Sequence, residues 1–270
     1  MALAETAYAK INLALHVRKR REDGYHELET LFAFVDDGDR LTVSRSHADR
    51  LTVTGEFAPA LTDPFGNIVA QALTTLPRGQ GWHVTLDKRL PVAAGLGGGS
   101  ADAGAIFRIV RDQGGLPERW RAKAARLGAD VPACVESRTC IGRGNGAELE
   151  PAPDDLAGTH VLLVNPRAAL STAEVFAAWE PHDAGGLTKG DARHIATHGR
   201  NDLQDAAVRL CPAIDDVLAR LRQTGAWLVR MSGSGATCFA LFDDAEACRD
   251  AAKHLRACEP QWWQMAGRLR

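Results

Sequence analysis

Between Leu90 and Ala105 the chain reads LPVAAGLGGGSADAGA, five glycines in sixteen residues, and then turns helix-favouring. Glycine loses more backbone entropy on ordering than any other residue, so such a cluster is kept where the backbone must approach something closely. Two common phosphate loops do not fit it. In G-x-G-x-x-G, Gly95 and Gly97 take the first two places but Ser100 stands in the third. In G-x-x-x-x-G-K-[ST], the sixth residue from Gly95 is Ser100 and no lysine follows. The physics outlasts both patterns. A run of glycines lets N–H groups converge, and a helix predicted from about Ser100 to Gln113 adds its dipole and unpaired donors. A tight turn for helix packing needs fewer glycines, so an anion site for a polyphosphate is favoured, with the Ser100 hydroxyl beside it. MSGSGAT, Met231–Thr237, is a second and weaker loop of the same kind.

The surrounding pattern is that of an α+β protein. Ile11, Leu13, Leu15 and Val17 alternate with Lys10, Asn12, Ala14 and His16, which predicts a strand with Lys10 and Asn12 on its exposed face. After the turn EDGYH, the segments ELETLFAFV, RLTVSR and RLTVTG read as separate, largely antiparallel strands. NIVAQALTTL changes to helical period behind Asn67 as N-cap, WHVTLDK is a strand, and ERWRAKAARL is a helix ending at Gly128. The prolines and acids of LEPAPDDLAG suggest a soft boundary near residue 155, hence halves 1–155 and 156–270. Beyond it, HVLLVNP is a buried strand, and Ser171 with Glu174 forms a capping box opening a helix through Trp179. Asn201 and Gln204 repeat that signature. AIDDVLARLRQTG is a helix with Ile214, Val217, Leu218 and Leu221 inward, and a strand–loop–strand, a helix and the strand WWQMAGRLR complete the chain.

Charge narrows the function. A net charge of -2 exerts no global pull on nucleic acid or membranes, so an anionic ligand must be held by local donors. The basic run Arg18–Arg21 lies between strands beside an acidic turn and reads as solvated. No apolar run reaches membrane-span length and no secretory signal is evident. Six cysteines without a C-x-x-C pair suit free thiols in the cytoplasm, and nothing fixes an oligomeric state.

In order along the chain, AYAKINLALHV, GLGGGSADAGA, LGADVP and RMSGSGATCFALF resemble the galactokinase, homoserine, mevalonate and phosphomevalonate (GHMP) kinase family. The resemblance implies an N-terminal half like the second domain of ribosomal protein S5, a C-terminal α+β half, and an active site in the cleft between. It implies ATP and Mg²⁺, with no resident metal ligands assigned, and an ATP cradle running from Pro91 through Val92, Ala93 and Ala94 to Gly95, Leu96, Gly97, Gly98 and Gly99, closing on Ser100 and Ala101. Asp130 becomes the catalytic aspartate, where a lone aspartate in GADVP would otherwise be a helix cap, and Lys10 its cationic partner. The substrate is a small cytidine diphosphate-linked alcohol. Asn12 serves its polyol, Tyr25 stacks on the base, and His26 meets the polar edge of the base. Phe176 takes the other face of the base, and Thr172, four residues before it and so on the same side of a helix, lies close to the substrate. Without the resemblance, Tyr25 and His26 read as turn packing and Phe176 as core. Many relatives carry a second serine where Ala101 stands. Asp102 then assists a metal or, as favoured here, stabilises the first helical turn. Kinases of the homoserine or mevalonate type, and a non-catalytic nucleotide-binding homologue, are the alternatives.

Overall fold

The computed structural model describes residues 2–61, 63 and 66–270. They form two compact units that interleave along the chain. One comprises Met1–Lys10, Asp37–Val92 and Gly97–Ser137, the other Ile11–Asp36, Ala93–Leu96 and Arg138–Arg270. The change-overs fall inside two long strands, β1 (Leu3–Arg20) and β2 (His26–Ser46), around Ala93–Leu96, and at Ser137, whereas the boundary expected from composition lies near residue 155.

In the first unit the C-terminal part of β2 pairs antiparallel with β4 (Gly81–Asp87), and β3 (Arg50–Thr54) lies parallel to β4. β2 runs unbroken through Asp36-Asp37-Gly38-Asp39, where the sequence predicted a turn. Gly38 serves close approach instead: a Cβ there would fall 1.9 Å from the Ala7 carbonyl oxygen. Four helices follow: α1 (Ile68–Thr75), α2 (Gly98–Gly114), α3 (Trp120–Leu127) and α4 (Val131–Glu136). Asn67 caps α1 as predicted, its side chain accepting from Val69 N–H at 2.9 Å. α2 is buried from Ala101 to Val110, and each large apolar side chain so buried contributes roughly 1.5–3 kcal/mol. Gly104 lets α2 lie directly on α4, since a Cβ would meet the Cys134 backbone at 2.7 Å.

In the second unit Leu28–Phe32 of β2 pairs antiparallel with β5 (Cys140–Gly144), which pairs with β6 (Glu148–Pro151). A four-stranded antiparallel sheet has the order β10 (Trp263–Arg268), β7 (His160–Asn165), β9 (Cys238–Phe242), β8 (Leu228–Met231). Helices α5 (Thr172–Ala178), α6 (Ala192–His198), α7 (Gln204–Leu210), α8 (Ala213–Arg222) and α9 (Ala245–Cys258) complete it. Ile214, Val217, Leu218 and Leu221 of α8 join Leu162, Val164 and Phe242 in the core, as their spacing predicted. Ser171 caps α5 as predicted, accepting from Glu174 N–H at 3.4 Å. Asn201 does not cap α7, whose N-cap position is Leu203.

β1 departs from its predicted half-buried pattern. Lys10, Asn12 and His16 are buried along with the apolar alternates, so neither side of the strand faces solvent there. The six cysteines are all free, and no helix among the described residues is long and apolar enough to cross a membrane.

Candidate active site

In the first unit three elements converge on one ion pair. Lys10 Nζ, on β1, lies 3.1 Å from Asp130 Oδ2, with the lysine side chain 5% exposed and the aspartate 31%. Asp130 occupies the N-cap position of α4 yet makes no side-chain cap, so the carboxylate is turned to the lysine and not spent on the helix. Arg108 of α2 fixes the frame, donating to Cys134 O, Ser137 Oγ and Thr6 O, and pairing with Glu5 at 2.8 Å. The third element is the start of α2. Gly97 caps it in the left-handed region at φ 60°, and a Cβ there would lie 3.0 Å from Lys10 Cε and 3.7 Å from Asp130 Oδ2. The helix therefore begins at Gly98, two residues before the predicted start, and its unpaired N–H groups open beside the Lys10–Asp130 pair. Ala101 is buried, which places the position of the missing second serine within the packed face of α2.

Beneath that first turn lies a charged cluster that sequence reasoning missed. Lys88 Nζ sits 2.5 Å from Asp39 Oδ2 and 2.7 Å from Asp102 Oδ2, all three buried. A Cβ on Gly98 would come within 3.1 Å of that ammonium. The other oxygen of Asp39 accepts from Arg89 N–H at 2.6 Å and Leu90 N–H at 2.7 Å. Asp102 is thus a partner of Lys88, which neither of its sequence readings anticipated. Its Oδ1 is buried without a hydrogen bond. Burial, with the charge of Asp39 added, pushes its carboxyl up to about 8 against the pull of Lys88. Between the ordinary carboxylate range and about 8, the folded protein keeps a proton that the unfolded chain releases. Stability therefore declines as pH rises through that window. Asp102→Asn is expected to flatten the decline, so that urea midpoints of parent and variant match near pH 5 and separate in favour of the variant near pH 8.5. Parallel curves would remove the assignment.

The second unit holds the remaining candidates. Ala93–Leu96 of the glycine segment packs on the second glycine loop: Thr237 N–H donates to Ala94 O at 3.2 Å, and Ser232 Oγ to Gly95 O at 2.8 Å. Asn12 Nδ2 donates to Thr30 Oγ1 at 2.8 Å, and Thr30 passes its own hydrogen to Ala14 O. Asn201 Nδ2 donates to Met231 O and Gly233 O, both at 2.8 Å, while its Oδ1, the acceptor expected to cap, takes the Leu203 N–H at 3.0 Å. Arg230, desolvated to about 10, donates to Leu13 O, Ala196 O and Gly199 O.

The His26 ring lies tilted against Phe176 at 4.8 Å and stands edge-on to Trp179 at 5.6 Å, while Tyr25 is 65% exposed. Burial, and then the charge of Arg20, lower the His26 pKa below the ordinary imidazole value. Thr172 shares a hydrogen bond of 2.8 Å with Ser234 of the second glycine loop. Phe176 is only partly buried, packed against core residues.

The GHMP kinase N-terminal domain family matches residues 67–138, and the GHMP kinase C-terminal family matches residues 187–258. The chain is 67% identical to a 4-diphosphocytidyl-2-C-methyl-D-erythritol kinase from Novosphingobium aromaticivorans, over 100% of this chain and 94% of that one. It is 59% identical to the protein of that name from Erythrobacter litoralis, over 99% of each. A crystal structure of 4-(cytidine 5'-diphospho)-2C-methyl-D-erythritol kinase superposes with a TM-score of 0.82 at 34% identity, covering 99% of both chains. A homoserine kinase from Cytophaga hutchinsonii shares the fold at a TM-score of 0.67 and 17% identity, covering 98% of this chain and 94% of that one.

Proposed function

The chain belongs to the 4-diphosphocytidyl-2-C-methyl-D-erythritol kinases within the GHMP kinases, and from that premise we propose how its residues divide the reaction. It is an ATP-dependent kinase that phosphorylates the 2-hydroxyl of 4-diphosphocytidyl-2-C-methyl-D-erythritol, a step of the non-mevalonate route to isoprenoid precursors. The observation that carries the assignment of roles is the Lys10–Asp130 pair, its lysine buried, at the N-terminus of α2. Asp130 takes the proton of the substrate hydroxyl. The oxygen bonds to the γ-phosphorus, the bond from phosphorus to the bridging oxygen breaks, and ADP leaves with that electron pair. Lys10 stabilises the developing alkoxide. The N–H groups of Gly98, Gly99 and Ser100 receive the phosphates, and Pro91 to Leu96 complete the cradle.

A resident magnesium does not fit the residues present: no three His, Cys, Asp or Glu among the described residues form a cluster, and Asp102 is committed to Lys88. We therefore write Mg²⁺ with its nucleotide, as substrate. The six free thiols suit a reducing cytoplasm.

For the acceptor, Asn12 and Thr172 contact the polyol side, His26 meets the base's edge, and Tyr25 and Phe176 take its faces. ADP release from Mg-ATP, compared across the cytidine acceptor, mevalonate and homoserine, tests the reading. Turnover confined to the cytidine acceptor supports it, and turnover of another alcohol in its place overturns the aromatic selection. Phe176→Ala should raise KM for the cytidine acceptor roughly 5- to 150-fold, the worth of one stacked face at about 1–3 kcal/mol, with KM for ATP unmoved. An unchanged acceptor KM would remove Phe176 from the site.

A further inference from the structure

Ser232 carries one hydroxyl, and both of its uses are fixed by chemistry. The residue is fully buried. Its Oγ receives the Asn12 N–H at 3.1 Å and stands 2.8 Å from the Gly95 carbonyl oxygen. An amide N–H only donates and a carbonyl oxygen only accepts, so the hydroxyl must accept from Asn12 and donate to Gly95. One atom thus joins the strand that carries Asn12 to the glycine segment at Gly95.

The surroundings leave that atom little freedom. Ser232 N–H donates to Thr237 O at 2.9 Å, and Gly235 N–H to Ser232 O at 3.0 Å. Met231 on its N-terminal side donates to Gln204 Oε1 at 3.0 Å and accepts from Asn201 at 2.8 Å. Arg230 before it holds Leu13 O, the carbonyl next along β1 from Asn12. On the other side, Gly95 has φ 77°, and a Cβ there would fall 2.1 Å from Ser232 O, so the two backbones touch with no side chain to cushion them. The loop beneath the hydroxyl is braced while the two segments it joins have separate duties, one toward the acceptor and one toward the nucleotide.

We propose that Ser232 is a positioning residue, its hydroxyl setting the spacing between the acceptor-binding strand at Asn12 and the nucleotide loop at Gly95. The inference rests on the kinase reading above for what those two segments hold. Removing the hydroxyl takes the Ser232 partner from the Asn12 N–H and the Gly95 C=O together, and the tie between the two segments is lost. A displacement of about 1 Å is enough to cost on the order of 100-fold in rate.

The test uses the full chain with Ser232→Ala, Ser232→Cys, which keeps volume but hydrogen-bonds weakly, and Ser232→Thr, which restores the hydroxyl. KM for ATP and for the cytidine acceptor should both rise about 10-fold in the Ala and Cys variants, with kcat/KM down about 100-fold, and the Thr variant should return toward the parent. Amide exchange at Asn12 should quicken at least 10-fold in Ala and Cys and not in Thr. If the Ala variant does not fold, the Cys variant decides. Parent-like KM values and parent-like exchange at Asn12 in a folded Cys variant would overturn the proposal. A parent protein without turnover would instead overturn the kinase reading, and the exchange rates would still decide the hydrogen bond.

Discussion

Asp130→Asn is expected to lower kcat by about 10²–10⁴, the usual contribution of a positioned general base. That range corresponds to roughly 2.7–5.5 kcal/mol of barrier. The amide keeps the shape of the carboxylate but has no basic lone pair to take the hydroxyl proton, and it offers Lys10 a neutral partner in place of the charged one 3.1 Å away. The fold should survive. Asp130 makes no side-chain cap to α4, so its substitution removes no helix hydrogen bond, and α4 stays anchored at Cys134 through Gly104 and Arg108. KM for ATP should move less than kcat, because the α2 N–H groups proposed to receive the phosphates are untouched. Rapid-quench measurement of γ-phosphoryl transfer from labelled ATP, beside a thermal melt, separates the two effects. A folded variant turning over at near-parental rate would remove Asp130 from the chemistry.

How much of this site could be read from the chain depends on how local each feature is. The glycine segment announces itself, because four glycines just before a predicted helical run have few other uses. Even so, the helix starts at Gly98, since Gly97 in the left-handed region caps it and no side chain is required to do so. Asp130 in GADVP was ambiguous: the same local pattern serves a cap and a base, and the absence of a cap shows only in the fold, where Lys10, 120 positions away along the chain, meets the carboxylate. The charged cluster leaves even less trace. Asp39 lies in a segment that reads as a turn, and its partner Lys88 is 49 residues away. Gly38 misled for the same reason. Its lack of a side chain answers to the Ala7 backbone, which no window around it contains. At the aromatic residues the structure sets His26 against Phe176, a contact that the spacing of neither residue signals. Ser232 and Asn12, 220 residues apart, meet through one hydroxyl that composition and period cannot signal.

The cluster beneath the glycine loop supplies the largest expected loss of stability. Asp39→Ala should destabilise the protein by about 3–5 kcal/mol, the usual cost of stripping one partner from a buried ion pair. Two debts fall due at once. Lys88, 3% exposed, loses the carboxylate at 2.5 Å, and the N–H groups of Arg89 and Leu90 lose their shared acceptor. Asp102 limits the damage in part: with the charge of Asp39 gone, one of the causes holding its proton on is removed, and it can ionise against Lys88 at 2.7 Å. It cannot reach the two orphaned amides, which is why the loss stays large. The order of effects follows from the same geometry. Asp102→Asn, replacing a carboxyl that is already protonated at neutral pH, should cost far less than Asp39→Ala. Because Leu90 opens the glycine segment, the Asp39 variant should also bind ATP more weakly than the Asp102 variant when both are folded. Urea titrations at pH 7 with nucleotide calorimetry on the same samples measure both. An Asp39→Ala midpoint within about 1 kcal/mol of the parent would mean that the ammonium finds water or another acceptor, and the cluster would lose its structural role.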